Sequence, residues 1–139
     1  VSALRDRVAA VASVAFGLMW LVAAAAKLAS PLVPYEMVAH AVDPGTPTKA
    51  LLAGAVACEV ALGVAMVLRA IQGFALSLAG LVAASLVLLA VRSSAAELVP
   101  CGCFGDMLGT TLDQSLVRNA ILAAILVALI LWNRKRVPA

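Results

Sequence analysis

The sequence predicts an all-α integral membrane protein, a four-helix bundle with its N and C termini cytoplasmic. Three observations carry this. Hydrophobic residues make up 65% of the 139-residue chain and charged residues only 12%, about half the charged share of a soluble domain. The apolar residues fall into four long runs, and a helix needs roughly 20 mostly apolar residues to cross a bilayer. The basic residues then gather on one side of the bundle those runs would build.

The first run, VAAVASVAFGLMWLVAAAAKLA, covers residues 8–29. Arg5 and Arg7 precede it and Ala23 to Ala26 could mimic a leader cleavage site, but the run belongs to the 139-residue chain and is read as a span. ALLAGAVACEVALGVAMVL (50–68) and GFALSLAGLVAASLVLLAV (73–91) are the second and third. The fourth has its apolar heart at 120–132. Thr111-Leu112-Asp113-Gln114 fits a capping box, with Thr111 as cap and Gln114 reaching back, so this helix is expected over 112–133. One domain, residues 1–139, holds all four. Gly54, Gly63 and Gly80 lie within the spans; small residues let helix backbones approach where lipid offers no hydrophobic drive.

Four spans put both termini and the turn at Arg69 on one side. That side holds Arg5, Arg7, Arg69, Arg134, Lys135 and Arg136 against Asp6. The other holds Lys49, Arg92 and Arg118 with Glu36, Asp43, Glu97, Asp106 and Asp113. The positive-inside rule makes the first side cytoplasmic. The net charge of +3 is thereby accounted for by the bilayer and its anionic headgroups, without nucleic acid. The two long loops, 30–49 and 92–111, then face the extracytoplasmic side of a cytoplasmic (inner) membrane. In the first, Tyr35 to Val42 is expected to form a short helix at the interface, with Tyr35 at headgroup level.

The second outer loop carries VPCGCFGDM (Val99 to Met107). Cysteines two apart close a small, strained ring, and strain makes a disulfide labile and oxidising rather than structural. Gly102 and Gly105 allow backbone angles that a side chain forbids. Cys101 and Cys103 are therefore the candidate redox pair, against the plainer reading of two inert or rigidifying cysteines. A weaker alternative is a soft metal ion held by Cys101 and Cys103 with His40 or Met107. No metal site is otherwise indicated.

Glu59 sits in mid-span, where a carboxylate is costly and points to function by default. Lys27, near the outer end of the first span, is within reach if those helices pack, and the two are expected to form a buried polar pair. Fixing helix register is the plainer role for it; proton relay or substrate contact is the sharper one. Cys58 projects about 100° away from Glu59 on the helix and is expected to be a small buried hydrophobe. There is one histidine, which excludes a bis-His haem. No phosphate-binding glycine loop, Ser/His/Asp set or C-x-x-C is present.

AAKLASP (Ala25 to Pro31), CEVALG (Cys58 to Gly63) and PCGCFGD (Pro100 to Asp106) occur in that order. With this pattern the chain resembles the MauE/DoxX-like family of redox-associated membrane proteins, and its methylamine utilisation protein MauE branch most closely. The resemblance implies a small four-helix inner-membrane protein linked to thiol-disulfide chemistry, as in maturation of a disulfide-rich client. It implies Cys101 and Cys103 as the redox pair and Lys27 and Glu59 as the buried pair.

The expectation from residues and resemblance together is a membrane-embedded thiol-disulfide helper. It would exchange with an extracytoplasmic thioredoxin-like partner or client protein, as a thiol-disulfide oxidoreductase or its membrane component. Re-oxidation of the pair needs an acceptor, a quinone in the bilayer or another protein, though no cofactor site is identifiable from sequence. The rival is a non-enzymatic accessory subunit of a larger membrane complex. Thiol-based metal handling is the third.

Overall fold

A computed structural model describes residues 1–69, 73–93 and 111–134. Among them are five helices and no strand: α1 (Ser2–Ala29), α2 (Leu32–Ala41), α3 (Thr48–Val67), α4 (Phe74–Ser93) and α5 (Leu112–Arg134). All but α2 are long and apolar enough to cross a membrane, with mean hydropathy of 2.1 to 2.5 over their central windows. Only 17 to 33% of the residues in those windows are buried inside the protein. Most of the helix surface is therefore apolar and outward-facing, which suits hydrocarbon and no other solvent.

Each helix ends for a local reason. Ser30 closes α1 at φ −134°, its N–H donating to the carbonyl of Ala26. The residue before a proline is steered out of the α region, and Pro31 follows. Pro34 is tolerated inside α2 because it falls in the first turn, where no intrahelical N–H bond is due. Between α2 and α3 the chain turns at Asp43-Pro44-Gly45-Thr46. Thr46 N–H donates to Asp43 C=O at 3.1 Å and Gly45 has φ +100°, the arrangement of a type II turn with proline and glycine at its two central positions. At the end of α3, Arg69 adopts φ +56° and donates its N–H to Met66 C=O. The left-handed stop that glycine usually provides is here made by a residue with a β-carbon, whose charge complements the helix C-terminus.

Both bonds of the predicted capping box are present at α5. Thr111 N–H donates to Gln114 Oε1 and Gln114 N–H to Thr111 Oγ1, each at 3.2 Å. Thr111→Ala is expected to lower stability by about 1 kcal/mol in a detergent unfolding titration, and Thr111→Ser to leave it unchanged.

The spans associate as two antiparallel pairs, α1 with α3 and α4 with α5. The first pair is the tighter. A β-carbon on Gly17 would lie 2.8 Å from the carbonyl oxygen of Gly63, and one on Gly63 would lie 2.9 Å from that of Gly17. This is the close backbone approach that small residues permit in membranes. Ser13 Oγ donates to Met66 C=O at 2.9 Å within this pair. Two polar links then tie the pairs together: Ser77 Oγ of α4 contacts Met66 Sδ at 3.0 Å, and Trp20 Nε1 of α1 donates to Ser77 Oγ at 2.9 Å. Trp20 lies against Gly80, where a β-carbon would come within 2.9 Å of the indole ring. Around this network Phe16, Trp20, Met66, Phe74, Leu81, Leu126 and Leu129 form the main core.

Helix α2 does more than lie at the interface. It packs on α3 and α4, and its Met37 joins Leu88, Val91 and Leu112 in a second core cluster. Tyr35 stays at the exposed edge.

Candidate functional site

Lys27 occupies the last turn of α1 and Glu59 lies eleven residues past Thr48 in α3, about 16 Å along the axis at 1.5 Å per residue. Their α-carbons are not at one level, but helical side chains lean toward their own N-terminus. In an antiparallel pair the two therefore lean toward each other. Lys27 Nζ donates to Glu59 Oε1 at 2.6 Å, and the two side chains are only 9% and 14% exposed. The second carboxylate oxygen, Oε2, is buried without a hydrogen-bond partner.

This ion pair forms part of the wall of a cavity of about 640 Å³ to which all five helices contribute. Trp20 and Ala23 of α1 and Met37 of α2 line it, with Leu62 of α3 and Leu81 of α4. Arg118 and Asn119 of α5, with Lys27 and Glu59, are its charged and amide lining residues. Asn119 is buried; its Nδ2 donates to Ser85 Oγ at 3.3 Å, and Arg118 Nη2 donates to Asn119 Oδ1 at 3.4 Å. The remaining lining is overwhelmingly aliphatic and aromatic. Lining residues that stay exposed, Ala55, Cys58 and Ala61 on α3 with Leu76 and Ala83 on α4, place the open side between α3 and α4. Those two helices make far fewer contacts with each other than either makes within its own pair.

One expectation needs correction, and one residue gains a role the sequence reading did not give it. Cys58 is not a buried hydrophobe but an exposed free thiol at the cavity rim, because α3 turns most of its surface away from the bundle. Arg118, expected on the outer side within the helix over 112–133, lies half-buried at the cavity, six residues into α5. A cation that far inside an apolar helix, followed directly by Asn119, was the available signal. Trp20, Gly17 and Ser77 carried none, since the partners that give them meaning are distant in sequence.

Cys101, Gly102, Cys103, Gly105 and Met107 lie outside the described residues. The helix ends flanking their loop are joined by an exposed ion pair between Arg92 and Asp113. His40 is near the end of α2, exposed, with Nδ1 2.7 Å from Glu36 C=O. A carbonyl only accepts, so it is Nδ1–H that donates in this contact. Among the described residues no group of three or more His, Cys, Asp or Glu side chains is placed to hold a metal ion.

Neither a curated protein nor a solved structure matches the chain. Residues 5–132, nearly its whole length, match the family described as Methylamine utilisation protein MauE. The chain is a membrane protein of the MauE family.

Proposed function

We propose that this protein is a membrane-embedded thiol-disulfide helper whose Cys101 and Cys103 exchange with an extracytoplasmic thioredoxin-like partner or client protein. The observation that carries the reading is C-G-C itself. A chain that spends two thirds of its residues on hydrocarbon keeps two cysteines one residue apart, between glycines, in the connection from α4 to α5. Six basic residues on the side of the termini support a cytoplasmic membrane with this connection facing outward.

In the exchange, a client thiolate attacks one sulfur of the Cys101–Cys103 disulfide. That bond breaks as a mixed disulfide forms and the other cysteine leaves as thiolate. The client's second thiolate attacks the mixed disulfide, so the client ends oxidised and the pair reduced. Re-forming the Cys101–Cys103 bond delivers two electrons and two protons to an acceptor of the quinone class, giving hydroquinone.

One observation favours the accessory-subunit reading as second. Ala53, Gly54 and Ala57 are exposed on α3, and nothing lies within 4 Å of a β-carbon built on Gly54. Such a small-residue face suits packing against another helix.

The test is trapping in cells. With Cys58→Ser and Cys103→Ser, Cys101 is the one remaining thiol of three; its thiolate attacks the disulfide of an oxidised partner, the exchange run in reverse, and Cys103 is missing as the thiol that would displace that partner. A discrete reducible adduct on a non-reducing gel, lost on Cys101→Ser, is the expected result. No adduct from either single-cysteine variant, together with a stable partner that tolerates loss of both cysteines, would move the accessory-subunit reading to the front.

A further inference from the structure

The cavity between the helix pairs has features that neither family membership nor the thiol pair explains. Its open side lies between two membrane spans, so what enters comes from the bilayer rather than from water. Its volume, about 640 Å³, is within the range of small-molecule sites, which combine an apolar lining with a few placed polar groups. Its charged and amide side chains are few: Lys27, Glu59, Arg118 and Asn119. Glu59 and Asn119 lie eleven and seven residues from the first residues of their helices, about 16 and 10 Å down the axes.

That depth selects the ligand. A phosphate-bearing lipid head would have to leave the interface and carry its charge into the hydrocarbon, at high cost. An uncharged ring with oxygen substituents pays no such penalty. The cavity offers hydrogen-bond donors for a carbonyl oxygen in Lys27 Nζ, the Arg118 guanidinium and Asn119 Nδ2. It also holds an acceptor, Glu59 Oε2, which is buried and has no hydrogen-bond partner; a hydroxyl is the group that satisfies it. Donors and an acceptor in one cavity serve the same ring in both of its forms: the donors meet the carbonyl oxygens of a quinone, and Glu59 Oε2 meets a hydroxyl of the corresponding hydroquinone. We infer that the cavity binds the head of a membrane quinone or hydroquinone, its oxygens toward Lys27, Glu59 and Asn119 and its tail leaving between α3 and α4. What the bound ring does for the cysteines rests on the thiol-disulfide reading; the binding does not.

The molecule contains its own reporter. Trp20 lines the cavity, and the second of its two tryptophans, Trp132, is exposed on α5. In a Trp132→Phe background, titrating a short-chain benzoquinone into detergent-solubilised protein is expected to quench Trp20 saturably. Ala55→Phe and Ala84→Phe, which put a ring into the space, should each weaken the midpoint about tenfold or more. Val82→Phe, on the outer face of α4, should not. Quenching that rises linearly with quinone and equally in all variants would overturn the site. Displacement of the quinone by an equal concentration of a fatty acid of matching chain length would overturn its assignment to a ring.

The two readings separate cleanly. Cys101→Ser with Cys103→Ser should leave the titration unchanged. Saturable quenching without trapped adducts would keep the site and discard the thiol reading; adducts without saturation would do the reverse.

Discussion

Lys27→Met is expected to destabilise the protein by about 3–5 kcal/mol, because it leaves the Glu59 carboxylate buried without its counter-charge. Glu59→Leu should cost a comparable amount by stranding the ammonium, softened to the extent that the longer lysine side chain can reach the membrane surface. The double variant Lys27→Met with Glu59→Leu should recover most of the loss. Replacing a buried ion pair by apolar residues of similar volume is often neutral or better. Unfolding of the four proteins in mixed detergent micelles completes the cycle, and an interaction energy near zero would refute the pairing. The double variant also separates the two roles open to the pair. A register device is dispensable once both charges are gone, whereas a ligand-contacting pair is not, so a stable double variant with a weakened quinone titration would locate the function in Lys27 and Glu59.

The second large effect concerns glycine. Gly17→Ala is expected to cost about 1–3 kcal/mol, the range for overpacking a filled interior. Besides the Val67 Cγ2 methyl at 2.8 Å, its β-carbon would meet two backbone atoms, Gly63 O at 2.8 Å and Val67 N at 2.9 Å. Neither can swing away, so relief requires α1 and α3 to separate along their length. Gly80→Ala should cost less, because there the obstacle is the edge of the Trp20 ring, held through its bond to Ser77 but still a side chain. Gly54→Ala meets open space and should change stability by less than about 0.5 kcal/mol. The order Gly17, Gly80, Gly54 in the same detergent titration is the prediction; an equal effect at all three would mean that helix propensity, not packing, governs these sites.

Much of this was readable beforehand, and for one physical reason. Hydrocarbon tolerates so few residue types that every exception carries information. The four spans follow from run length alone. Lys27 and Glu59 stood out as charges where charge is costly, and the Thr111 box as a local pattern needing no tertiary partner. What stayed hidden depends on contacts between distant segments. In an Ala- and Val-rich helix, Gly17 looks like any small residue until Gly63 is set against it. The hold of α2 on the bundle rests on Met37 meeting Leu88 and Leu112. The cavity is a space, formed because α3 and α4 fail to close, and no stretch of sequence encodes a gap. Cys58 was misjudged because burial in a membrane helix depends on which face finds a neighbour, and α3 finds few.

The pairing of Lys27 with Glu59 also bears on how the chain is made. The residues are 32 apart, so at synthesis rates of about 5–20 residues per second the first is made roughly 2–6 s before the second. During that interval one charge must wait alone. The one that waits is the lysine, in the last turn of its helix, with a side chain long enough to rest its ammonium among the headgroups. The mid-span carboxylate, which has no such refuge, arrives only when its counter-charge is already in place. The order of the two charges along the chain thus spares the nascent protein the costlier of its two exposures.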